Sequence, residues 1–329
     1  MNKKYPKISI VTPSYNQGKY IEQTIDSVLS QNYPNLDYII IDGGSTDDSA
    51  EIIRRYEKHL SFWVSEKDKG QSDAIQKGLA RATGDVFNWL NSDDYLSENA
   101  LFEVAEAFQN PDILLFAGLT AYTDGVRTTD ISRTRIFVKP AKTIAYAAVS
   151  QPAMFYDMKT FRALGGVNSA LHYCMDKELF LKFLLIFGQD KIFSSEKVIA
   201  YFRIHEEAKS WDMTPFLTDT ANIYADLARK SGLNDAAKTI EKYLASAQKK
   251  GYALDLSDKN LDQKFVEEIL QNFLFSMGEH FYYSGNFPRA FRLFSSLDTQ
   301  KLDSHDEKLT KSYLKDCVKN YLLSPFRKK

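Results

Sequence analysis

Through the first two hundred positions apolar residues cluster in short, near-continuous runs; beyond them the apolar spacing lengthens to that of helices. The runs at 8–12, 36–41, 62–64 and 86–90 are too short for helices and rich in β-branched and aromatic residues, so each predicts a strand. Between them lie amphipathic stretches at about 19–31, 47–58 and 71–82, where apolar positions recur every three to four residues. Strand and helix therefore alternate. Such alternation predicts a parallel sheet covered on both faces. Further strands are expected at 113–117, 135–138, 153–156 and 197–203, of mixed direction, with a helix over 174–187.

After about Trp211 strand signals almost vanish, and helices are predicted at 216–231, 235–249, 261–284, 288–296 and 305–323. The fold class is α/β: a Rossmann-like mixed sheet flanked by helices, with an all-helical C-terminal extension. The expected division is 1–211 (halves of about 1–110 and 111–211) and 212–329. Tyr283–Phe294 has the Gly, Ala and Phe spacing of one helix-turn-helix repeat, with no second copy at that period.

Composition narrows the function classes. At 329 residues there is length for roughly two domains on a prior of about 150 residues each. The formal charge of −1 gives no electrostatic reason to expect nucleic acid. Only Cys174 and Cys317 are present, without a CxxC pair, which argues against a disulfide framework or thiolate zinc and for a reducing, cytoplasmic setting. The basic N-terminus is not followed by the apolar stretch of a secretory leader, and no run of about 18 apolar residues predicts a membrane span.

The candidate chemistry sits at strand ends. Asn91-Ser92-Asp93-Asp94 follows the run 86–90, delivering two adjacent carboxylates where open α/β sheets place ligands. Two readings stand: a cap for the helix beginning near Ser97, or a cation site that keeps neighbouring anions ionised. Asp42-Gly43-Gly44-Ser45-Thr46-Asp47 lacks the spacing of a dinucleotide fingerprint or a P-loop, leaving an acid at a strand end followed by a turn. Thr12-Pro13-Ser14-Tyr15-Asn16 and Asp68-Lys69-Gly70 close the first and third strands. Four such loops on one sheet edge describe a site for a nucleoside diphosphate and a metal.

In these residues the chain resembles the inverting family-2 glycosyltransferases of the GT-A fold. The resemblance rests on Ile8–Asn16, Ser27–Gln31, Ile41–Asp47, Gly84-Asp85 and Trp89–Asp94, and covers about residues 5–210. It implies that Thr12, Pro13, Tyr15 and Asp42 cradle the nucleoside of a nucleotide-diphosphate sugar donor, and that Asp68 and Gly70 continue the pocket. It implies that Asp93 and Asp94 hold Mg²⁺ or Mn²⁺ across the diphosphate, oxygen ligation suiting these hard ions. Asp176, at the start of a helix, stands where the family has its base. His205, after the last strand, would contact phosphate or metal with Arg203 or Lys209 as helpers, and Trp89 and Gln151 would contact acceptor or sugar.

Three positions depart from the family pattern: Asn91 replaces the first acid, Met175 the Glu before the base, and Ile75 an Arg of the third-loop helix. An amide oxygen is still a hard ligand, so Asn91 is expected to weaken metal binding without abolishing it, while Asp73 or Lys69 stands as an alternative base. The implied activity is metal-dependent, inverting transfer of a sugar to a saccharide, lipid-linked in bacterial surface polysaccharide assembly. Peripheral contact with the inner face of the membrane is expected through 313–329, where Tyr321-Leu322-Leu323 and Phe326 precede a basic end. The alternatives are a nucleotidyltransferase and a non-catalytic nucleotide-sugar-binding scaffold.

Overall fold

The computed structural model describes residues 5–206, 214–244, 252–256 and 259–323, and for 321–323 the backbone only. These residues form two compact units, which divide the chain at Thr134/Arg135, Ala147/Ala148 and Asp212/Met213.

The first unit opens as the apolar pattern requires. β1 (Ile8–Ser14), α1 (Ile21–Leu29), β2 (Leu36–Asp42), α2 (Ser49–Arg55), β3 (Phe62–Ser65), α3 (Gln71–Arg81) and β4 (Val86–Trp89) alternate in order. β1 and β4 are buried along their whole length, as strands covered on both faces must be. β5 (Tyr95–Leu96), α4 (Ala100–Ala107), β6 (Leu115–Thr123) and β7 (Thr128–Arg133) follow. The sheet order is β3-β2-β1-β4-β8-β6-β9-β5, with β7 paired to β6; β8 is Met154–Asp157 and β9 is Ile192–Arg203. The first four strands are parallel, whereas β8 is antiparallel to both β4 and β6. Ile10, Ile25, Ile40, Phe116 and Phe155 are among the apolar side chains of its core, all at 1% exposure or less.

The strand expected at 135–138 does not form. Phe137 N–H donates to Thr143 Oγ1 at 2.8 Å instead of to a ladder, and Val138 is 98% exposed ahead of α5 (Pro140–Tyr146). Three apolar letters in a row, Ile136 to Val138, cannot distinguish a strand from a helix entry, and Pro140 at the first helical turn decides for the latter. Residues 135–147 consequently belong to the helical unit, so the boundary differs from a single cut near 211. α6 (Met158–Ala163) and α7 (Met175–Phe187) complete the first unit.

The helical unit comprises α5 with α8 (Thr214–Lys230), α9 (Asn234–Leu244), α10 (Gln263–Tyr283), α11 (Phe287–Ser295) and α12 (Ser304–Leu323). Tyr224 stacks on Phe273 with ring centroids 3.8 Å apart, and its hydroxyl donates to the carbonyls of Ile144 and Ala145. Lys142 of α5 reaches Asp303 at 2.9 Å and also pairs with Asp306 at the start of α12. Burial works against that ammonium, yet the two carboxylates hold its pKa above the ordinary lysine value. Tyr313 and Cys317 of α12 are buried, so this part of the expected membrane segment faces its own unit; residues 324–329 lie outside the described residues. Among the described residues no helix is long and apolar enough to cross a membrane.

Candidate active site

The strand order reverses at β1, because β2 and β4 lie on its two sides. Val11 pairs with Trp89, so the loops after Ser14 and after Trp89 leave the sheet side by side. Such a switch point opens a crevice at the carboxyl ends of the strands.

Into it runs the loop 91–94, whose two carboxylates turn opposite ways. Asp94 is 1% exposed: its Oδ1 accepts from the Arg203 N–H and its Oδ2 from Asn91 Nδ2, both at 3.2 Å. Burial, with the charge of Asp93 beside it, pushes the Asp94 carboxyl well above the ordinary carboxylate range, while the bonds from Arg203 and Asn91 pull the other way. Asp94 is thus tied into its own loop and to β9. The Asp93 side chain stays 23% exposed, with Oδ2 3.0 Å from His205 Nε2. Asn91 Oδ1 accepts from Gln71 Nε2 at 2.6 Å, so the amide oxygen expected to ligate a cation is engaged by α3.

Arg203 braces this loop. Its Nε donates to the Asp93 carbonyl at 3.2 Å, a terminal nitrogen donates to Gln23, and the guanidinium lies 5.0 Å from the Tyr20 ring and 5.4 Å from that of Tyr95. Tyr20 also packs on His205 at 4.7 Å between centroids. Thr24 Oγ1 sits 2.9 and 2.7 Å from the carbonyls of Ser92 and Asp94. Tyr20, Gln23, Thr24 and Gln71 were not legible as site residues; the available signal was the spacing of Tyr20, Gln23 and Thr24, which puts them on one helical face. Lys209 lies outside the described residues.

The residues expected around the nucleoside divide by exposure. Tyr15 is 59% exposed at the end of β1. Thr12 is fully buried with its hydroxyl 3.1 Å from that of Tyr38, and Pro13 is buried beside it, so both shape the strand end. Asp42 is fully buried too: its carboxylate accepts from the N–H groups of Gly44 and Ser45 and from the hydroxyls of Ser45 and Ser65. These bonds tie the carboxylate to its own loop and to the end of β3. Asp68 Oδ1 accepts from the Gly70 N–H at 2.8 Å, and a Cβ on Gly43 would come within 2.8 Å of Asp68 Oδ2. Gly70 holds φ +109°, a value that favours glycine. Among the described residues, Ser14 Oγ and Gln17 Oε1 in the first loop are buried without a hydrogen-bond partner. Buried polar atoms normally find one, so these two are the unsatisfied groups of this strand end.

Asp176 lies in the first turn of α7, half-buried, its Oδ1 accepting from the Lys177 N–H at 2.7 Å. Burial pushes its carboxyl above the ordinary range. Asp73 instead accepts from Lys69 N–H at 3.1 Å and stands 3.8 Å from Lys77. Trp89 is 2% exposed with Phe161 at 6.1 Å, and Gln151 spends its amide nitrogen on Asn88 Oδ1 and the Trp89 carbonyl. Both are packed within the framework at the end of β4.

Residues 9–173 match the profile of glycosyl transferase family 2. The chain belongs to that family. A Rickettsia typhi protein named as an uncharacterized glycosyltransferase is 22% identical over 306 residues, covering 84% of this chain and 92% of the relative. TuaG of Bacillus subtilis, a glycosyltransferase named for teichuronic acid biosynthesis, is 39% identical over 99 residues, 29% of this chain and 39% of TuaG. S. aureus TarS 1–349 superposes with a TM-score of 0.61 at 16% identity, covering 97% of this chain and 92% of that one; TarS 1–349 has also been solved with UDP-GlcNAc. The mannosyltransferase PcManGT of Pyrobaculum calidifontis, solved with GDP-Man and Mn²⁺, gives 0.52 at 15% identity over 98% of this chain and 88% of its own. The fold is therefore GT-A, and the protein is a glycosyltransferase.

Among the described residues no three His, Cys, Asp or Glu groups form a metal cage. The site fits a hard ion in another way: Mg²⁺ and its relatives bind substrate phosphates through one or two carboxylates and complete their shell with phosphate oxygens and water. Asp93 supplies such a carboxylate, and His205 lies against it.

Proposed function

We propose that the protein transfers a sugar, with inversion, from a nucleoside diphosphate donor to a hydroxyl of a saccharide acceptor. The observation that carries this reading is the partly exposed Asp93, paired with His205 in the loop after β4, the strand next to β1 where the sheet order reverses. Tyr15, Asp68 and Gly70 hold the nucleoside, and Asp42 sets the shape of the loop beneath it. Asp93, with His205, would hold Mg²⁺ or Mn²⁺, which when bound stabilises charge on the departing diphosphate. Asp176 takes the proton of the acceptor hydroxyl, a role its raised pKa favours because a stronger base accepts the proton more readily. UDP-GlcNAc in TarS and GDP-Man in PcManGT support a nucleotide-sugar donor, and TuaG supports a cell-surface polysaccharide as product. The acceptor of this proposal is lipid-linked and met at the inner face of the membrane.

Two substitutions test the assignment. Asp93→Ala is expected to abolish cation-dependent binding of UDP or GDP in calorimetry. Asp176→Ala is expected to leave that binding intact and remove turnover of every nucleotide sugar the parent accepts; full activity in this variant refutes the base assignment.

A further inference from the structure

The family's acid motif begins here with an amide, and the structure gives that amide a use. Asp94 Oδ1 accepts the main-chain N–H of Arg203, Asp94 Oδ2 faces Asn91 Nδ2, and Asn91 Oδ1 faces Gln71 Nε2. The four groups form one directed chain: Gln71 donates to Asn91, Asn91 donates to Asp94, and Asp94 also accepts from β9. A carboxylate at 91 could still accept from Gln71 but would lose the N–H that Asn91 donates to Asp94 Oδ2, 3.2 Å away in a site where Asp94 is 1% exposed.

From this geometry we infer that Asn91 is a positioning residue for donor binding: through its donated hydrogen bond it locks Asp94, and with it the backbone that presents Asp93, to the first turn of α3. The inference rests on the proposed donor site, since Asp93 is what the relay positions. α3 begins at Gln71, directly after Gly70 of the third loop, so the relay joins two loops that the proposal assigns to one ligand. Arg203 carries the same lock to the other side, by its N–H to Asp94 and its Nε to the Asp93 carbonyl. The relay accounts for both amides together: Asn91 must donate to Asp94, and Gln71 must then donate to Asn91.

The direction of the chain makes a swap informative. Asn91→Asp alone is expected to weaken UDP or GDP binding in the presence of Mn²⁺ by about tenfold at pH 8, the scale of one lost buried hydrogen bond. Combining N91D with D94N restores complementarity: the amide placed at 94 donates to the carboxylate placed at 91, which still accepts from Gln71, and the amide oxygen at 94 still accepts from Arg203. The double variant is expected to bind within about threefold of the parent, a recovery that reads the pairing and not the mere presence of an acid. Melting temperatures of both variants check that each is folded. N91D binding as tightly as the parent overturns the relay, and so does a folded N91D/D94N variant no better than N91D. Failure of the parent itself to bind any nucleoside diphosphate instead refutes the donor site, so the two failures are distinguishable.

Discussion

At Asp176 two effects oppose each other. A helix N-terminus favours a carboxylate, which alone predicts a low pKa, whereas burial disfavours the charge; burial prevails, and the carboxyl is pushed up. The rate of a reaction using this group as base is expected to rise with pH through that raised pKa, so the acid limb of the kcat profile lies above the ordinary carboxylate range. Stability moves the opposite way. Between the unfolded and folded pKa values the folded chain holds the extra proton, so stability falls as pH rises through that window. Asp176→Asn is accordingly expected to lose about 10²- to 10⁴-fold in turnover while melting no lower than the parent at pH 8. The position of this acid was legible because it opens a helix; the direction of its pKa was not, since burial depends on what packs over α7.

Among the elements, α3 shows how packing can reverse a propensity. Gly78 lies inside the helix, where Ala is normally better by about 1 kcal/mol. A Cβ there would stand 2.4 Å from Cγ1 of Val11, a fully buried β-branched side chain of β1 with little freedom to move. Gly78→Ala is therefore expected to destabilise by about 1–3 kcal/mol in chemical denaturation. The same close approach seats the helix whose first turn carries Gln71. In the helical unit, Lys142 ties α5 to Asp303 and Asp306. Lys142→Met leaves Asp306, 3% exposed in its side chain, without that cation, and is expected to cost about 3–5 kcal/mol, measured by the same method.

On the scale of the whole molecule, the order of the strands turns separate loops into one site. β1 and β4 lie far apart in sequence and adjacent in the sheet, and β9 delivers Arg203 and His205 to the loop after β4. A ligand that bridges these loops stabilises the folded chain by mass action, about 2.7 kcal/mol at a hundredfold excess over Kd. UDP or GDP with Mn²⁺ is expected to raise the melting temperature, and EDTA to remove most of the shift; a shift unchanged by EDTA refutes the role given to the cation.

Period and composition alone determined the alternating strands and helices up to β4, the helical texture after 211, and the acids at the strand ends, because each is a local property of the chain. Which acid faces the solvent was decided only by tertiary structure. Asp93 and Asp94 are neighbours in sequence with the same chemistry, and no spacing rule separates them. The N–H of Arg203 and the amide of Asn91 turn Asp94 inward, leaving Asp93 towards the crevice. In the same way Trp89, Gln151 and Thr12 read as ligand contacts along the chain but face the interior in the fold, since burial is set by the whole sheet and not by the local run.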